Sequence, residues 1–80
     1  MIDQIRRCMQ TALKLDPATA GRIAAETTAA DVPGWTSVAH LSLILELEKT
    51  FGVRFGNDEI AALASVSAIV ASLRRKGVAG

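Results

Sequence analysis

SVAHLSLILELEKTFG, residues 37–52, is the stretch on which the fold turns. Leu43, Ile44, Leu47 and Phe51 fall within about 100° of one another at the 3.6-residue period, which makes them the core-facing stripe of a helix. Gly52 follows at once, and glycine closes a helix in the left-handed conformation without steric cost. The spacing predicts a helix over Ser37–Phe51. Beyond it, Val53 and Phe55 can drop alternate side chains inward. Asn57 or Asp58 can cap a short helix that runs through about Leu63, and Ser65 can cap a last one that runs to about Lys76. Val66, Ile69, Val70 and Leu73 supply the buried face of that last helix. Arg74, Arg75 and Lys76 close it at the end where positive charge is favourable.

Upstream, Ile2, Ile5, Met9, Ala12 and Leu13 share one helical face, predicting a first helix over Ile2–Leu15 with Asp3 near its positive end and Lys14 near its negative end. Asp16-Pro17 stops it, because proline disfavours helical geometry in the residue before it. From Asp16 to Thr36 periodicity is lost, and Pro17, Gly21, Thr27-Thr28 and Val32-Pro33-Gly34 mark a long connection. Connections of that length persist when they are functional or hide a short turn of helix, and Ile23 and Val32 are the natural anchors of this one to the core.

Composition agrees. Eighty residues, half of them hydrophobic and only 4% aromatic, fit one domain over residues 1–80 built from short close-packed helices. The expected class is all-α: four helices, a long loop between the first and second, and a short third. Nine Lys and Arg against eight Asp and Glu leave a formal charge of +1, which argues against nucleic acid or membrane as a general electrostatic partner. A helix-turn-helix binder would also need a basic recognition helix that is not evident. One cysteine forms no internal disulfide, and no run has the length of a membrane span or a secretory signal, so a cytoplasmic protein is expected.

The second helix carries more apolar surface than its core stripe requires. Val38 and Leu45 lie opposite that stripe on the wheel, with Leu41 on the boundary and Ser42 and Lys49 beside them. Rimmed by Glu48 and Lys49, they suggest a docking surface, although singly exposed leucines are ordinary in globular domains. At the head of the helix stands Trp35-Thr36-Ser37-Val38. Ser37 can be an N-cap, or a hydroxyl whose attached phosphate the free amides and helix dipole would stabilise. Elsewhere, His40 near the core stripe reads as structural, and Cys8 as a small buried hydrophobe. Asn57, Asp58 and Glu59 read as helix capping and not as a cation site. No cluster of acid, base and nucleophile assembles into an enzyme site.

The run GWTSVAHLSLILELEKTFGVRF, Gly34–Phe55, resembles the segment of acyl carrier proteins around their Asp-Ser-Leu attachment motif, where the serine opens the second helix and Leu-Glu-x-x-Phe closes it. Here these read Thr36-Ser37-Val38 and Leu47-Glu48-Lys49-Thr50-Phe51. The similarity extends along nearly the whole chain, through the Ser-Val-x-x-Ile-Val start of the last helix. It implies a four-helix carrier fold in which Ser37 accepts 4′-phosphopantetheine from coenzyme A through a separate phosphopantetheinyl transferase. The arm's thiol would then carry acyl groups as thioesters between an acyl-loading ligase or synthase and downstream acyl-transferring enzymes. Thr36, Val38, Leu41, Leu45, Glu48 and Lys49 would meet those partners, and the chain would act as a monomer that is itself a substrate.

Two departures bear on this. Thr36 stands where the family usually has aspartate, which implies slower or more selective modification. Ala39, Ser42 and Lys49 deprive the helix of the strongly acidic face of fatty-acid carriers, which implies a specialised carrier for polyketide, peptide or sugar-modification chemistry. The alternative from another class is a non-catalytic interaction module that uses the Val38 and Leu45 face without a prosthetic group.

Overall fold

A left-handed Lys14, at φ 53° and ψ 46°, ends the first helix, α1, at Ile2–Leu13. That is two residues short of the expected Leu15, and the stop lies in the backbone turn at Lys14 before the proline is reached. In the computed structural model, which describes residues 1–78, α2 (Pro17–Gly21), a 3₁₀ turn (Ala29–Asp31), α3 (Ser37–Phe51), α4 (Asn57–Ala62) and α5 (Val66–Arg75) follow in order. Every regular element among the described residues is helical. Among the described residues the count of four is corrected to five α-helices, because the long connection contains α2. Asp16 caps it by accepting the Thr19 N–H at 2.9 Å, and Pro17 fills the first helical position, where a missing N–H costs nothing.

The connection after α2 is not free. Ile23 and Val32 are buried as expected, and Arg6 of α1 donates from Nε to the Ile23 carbonyl at 2.7 Å. Further on, the Ala29 N–H bonds the Ala64 carbonyl at 2.8 Å and the Val66 N–H bonds the Thr27 carbonyl at 2.9 Å. These bonds fasten the middle of the connection to the turn between α4 and α5. Ser65 caps α5 as predicted, accepting the Ala68 N–H at 3.1 Å.

One core joins α1, α3 and α5. Ile5, Cys8, Met9 and Leu13 of α1, Leu43, Ile44 and Leu47 of α3, and Val66, Ile69 and Leu73 of α5 are buried together with Trp35, Phe55 and Leu63. The contact between α1 and α3 is the most extensive of the helix pairs, and Cys8 adds an S–H bond to the Thr50 hydroxyl at 3.3 Å. Phe51 and Val70, both expected in the core, are half-buried against it. Gly52 closes α3 in the left-handed conformation, at φ 67°.

The cap of α4 differs from expectation. Gly56 takes the capping position, and Asn57 and Asp58 lie one and two residues inside the helix. Glu59 reaches back to accept the Gly56 N–H at 2.9 Å, satisfying one of the orphan donors at the helix start. The same carboxylate accepts from Lys76 Nζ at 2.9 Å and from the hydroxyl of Ser72, itself fully buried, at 3.2 Å. Lys76 Nζ also stands 5.2 Å from the centroid of the Phe55 ring. The Gly56 amide first, then Lys76 and Ser72, hold the Glu59 carboxyl at a pKa of about 2.

A carboxyl lowered on folding contributes stability above its unfolded pKa, and that contribution is lost as pH falls through the ordinary carboxylate range towards about 2. The urea midpoint of the wild-type chain should fall over this window. Glu59→Gln should unfold at lower urea at neutral pH and show a flatter acid limb. Parallel profiles for the two proteins would remove Glu59 from the acid response.

Candidate functional site

The site is assembled where the connection enters α3. Pro33 and Gly34 turn the chain past the end of α1, and Gly34 is close enough that a side-chain carbon placed on it would meet the Leu13 carbonyl at 3.4 Å and the Leu15 side chain at 3.6 Å. Trp35 then turns inward and is buried, and its N–H bonds the Val32 carbonyl at 2.9 Å. Thr36 takes the N-cap. Its hydroxyl accepts the Ala39 N–H at 3.2 Å, and its carbonyl accepts the His40 N–H at 2.8 Å.

Ser37 is therefore not the cap that a serine at this place can be. It is the first helical residue, and its side chain is exposed. With Thr36 engaging the amides of Ala39 and His40, the amides of Ser37 and Val38 remain at the positive end of the helix for water or an anion. No acidic side chain occupies the first turn of α3 to compete for them.

From Ser37 an apolar stripe runs down the outside of α3. Val38, Leu41 and Leu45 are 78%, 57% and 65% exposed, and they are the large hydrophobic residues that the described surface leaves most open. Their spacing of three and four places them in one line about 10 Å long on the side away from Leu43, Ile44 and Leu47. Leu41, read from the wheel as a boundary residue, belongs to the exposed side. The burial of one helical face decides this outcome, since a helix of this diameter cannot turn both stripes inward.

The polar rim is asymmetric. Glu48 is half-buried, and its Oε2 accepts the Phe55 N–H at 2.9 Å, which turns the carboxylate towards the segment after α3. Lys49 is exposed, with its Nζ 3.9 Å from Glu46 Oε1, a distance that leaves the ammonium mostly to solvent. Thr36, Ser37, Val38, Leu41, Leu45 and Lys49 thus share the open surface, while Glu48 is drawn partly into the fold.

His40, read as structural, has a definite task. Its Nδ1 accepts the indole N–H of Trp35 at 2.8 Å, and its Nε2 lies 2.7 Å from the Ile60 carbonyl. The acceptor role of Nδ1 puts the proton on Nε2, which donates to Ile60. The two rings stack with centroids 6.0 Å apart. Periodicity does not mark Trp35 as a core residue, because it lies in a connection. A lone tryptophan five residues before a histidine was the available signal. Cys8 is buried as expected, and burial pushes its thiol pKa up, the opposite of what a nucleophile needs.

Searches against family models, curated proteins and solved structures return no match for this chain. Among the described residues no group of three or more His, Cys, Asp or Glu could hold a metal ion, and no helix is long and apolar enough to cross a membrane.

Because Leu45 is exposed and Leu47 fully buried, the two should respond very unequally to the same change. Leu45→Asp should shift unfolding stability by no more than about 0.5 kcal/mol, whereas Leu47→Asp should prevent folding of a domain this small. Urea titration followed by circular dichroism checks both.

Proposed function

We propose that the chain is a carrier protein of the acyl-carrier type, with Ser37 as the attachment point of a 4′-phosphopantetheine arm. The observation that carries the reading is a serine hydroxyl released from capping by Thr36, exposed at the first turn of α3, and continuous with an exposed apolar stripe. The resemblance of Gly34–Phe55 to the carrier attachment segment supports the same assignment.

In the loading reaction the Ser37 oxygen forms a bond to the phosphorus that bears the pantetheine half of coenzyme A. The pyrophosphate linkage breaks, adenosine 3′,5′-bisphosphate leaves, and the serine proton passes to a base on the transferase. The product would be a phosphodiester, and the amides of Ser37 and Val38 at the positive end of α3 would favour its remaining negative charge. The far end of the arm is a thiol. An acyl group held there as a thioester keeps a more reactive carbonyl than an oxygen ester would, and the tether raises its effective concentration in any active site against which the carrier docks.

Within this reading the chain performs no catalysis. Its contribution is presentation: a fixed hydroxyl, and an apolar stripe with Lys49 at its far end on which a transferase and the acyl-handling enzymes can settle. With Glu48 turned to the Phe55 amide and Lys49 exposed at the end of the stripe, this face lacks a strongly acidic character, which favours partners of a specialised pathway over those adapted to an acidic carrier helix.

Co-expression with a broad-specificity phosphopantetheinyl transferase should add one phosphopantetheinyl group to the intact mass, and Ser37→Ala should abolish the addition. An unmodified mass with several active transferases would contradict the carrier reading. It would favour instead a binding module that uses the same stripe, whose function Leu45→Asp removes and Ser37→Ala spares.

A further inference from the structure

The indole of Trp35, the imidazole of His40 and the Ile60 carbonyl form one line of hydrogen bonds. It crosses from the segment just before Ser37, through the first turn of α3, to the body of α4. Both bonds are short, at 2.8 and 2.7 Å, and each end is fixed: Trp35 by burial, Ile60 within a helix. Resting on the carrier reading, we propose that His40 is a positioning residue for Ser37, acting through Trp35 to hold the entry segment in the geometry in which the hydroxyl is presented to a transferase.

The physical reason is that, beside the close approach of Gly34 to α1 and the Thr36 cap, Trp35 is the side chain that anchors the entry segment to the core. Between the buried Val32 and the buried face of α3, Pro33, Thr36, Ser37 and Val38 are all exposed, and Trp35 is the one buried side chain among residues 33–38. A buried indole N–H without an acceptor is costly, so loss of the His40 ring nitrogen drives the indole towards water. Thr36 and Ser37, one and two residues along, would follow it. Neither Trp35 nor His40 takes part in bond making at Ser37, and neither belongs to the exposed stripe.

The role needs an acceptor towards Trp35 and a donor towards Ile60 on one side chain. Histidine protonated on Nε2 provides both, and a glutamine amide provides both as well. Phenylalanine fills similar space and provides neither.

The test combines four variants with a reporter already in the protein, since Trp35 is its single tryptophan. His40→Phe should shift the fluorescence emission to longer wavelength and slow loading of coenzyme A by a broad-specificity transferase about tenfold in kcat/KM, at a temperature where circular dichroism shows a folded chain. His40→Gln should restore both signals towards wild type. Trp35→Phe keeps an apolar anchor and has no N–H to strand, so adding His40→Phe to it should slow loading no further, and a further slowing in the double variant overturns the proposal. Folded His40→Phe loaded at the wild-type rate, or His40→Gln no better than His40→Phe, overturns the proposal while leaving the carrier reading intact. A wild-type chain that is not loaded overturns both.

Discussion

The pairing of α1 with α3 is the constraint from which the rest follows. α3 carries apolar residues on two sides, and only one can face the single core that Ile5, Cys8, Met9 and Leu13 of α1 share with it. Once Leu43, Ile44 and Leu47 are committed there, helical geometry sends Val38, Leu41 and Leu45 to solvent. The exposed stripe is thus a geometric consequence of the core. Three large apolar residues in one line on the outer face are the feature on which the proposed docking role rests.

Position along the helix matters as much as orientation. The connection before α3 is stapled at Ile23, at Thr27 to Ala29, and at Trp35, so it delivers the chain to the helix start at a defined place. There Thr36 takes the cap and Ser37 the first helical turn. A single-residue difference in which side chain caps the helix separates a serine whose oxygen is occupied from one whose oxygen is available. The short α4 serves the same end: Glu59, Ser72 and Lys76 tie it to α5, and its Ile60 carbonyl receives His40.

How much of this could be read from residues alone depends on the kind of interaction. The core stripe of α3, the Gly52 stop, the Ser65 cap and the burial of Ile23, Val32 and Cys8 were legible, because periodicity and local capping chemistry carry that information. So was the exposure of Val38 and Leu45. The features missed or misplaced come from contacts distant in sequence or from choices between neighbours. Glu48 bonding Phe55 and Lys76 bonding Glu59 have no periodic signature. Thr36 and Ser37, or Gly56 and Asn57, are adjacent candidates for one capping position, and only the backbone path decides between them. α2 was hidden because five residues are too few to display a helical period.

A carrier of this type depends on one covalent event, the attachment of the prosthetic arm to a particular hydroxyl at the head of α3. The direct measurement is to load the chain with a coenzyme A analogue bearing a fluorophore on its thiol, digest the product, and locate the label by fragment mass spectrometry. Serines at 42, 65, 67 and 72 provide internal controls of the same chemistry at other places in the fold. The account predicts all label on the peptide containing Ser37. Label on any other serine, or none with an active transferase, would contradict it.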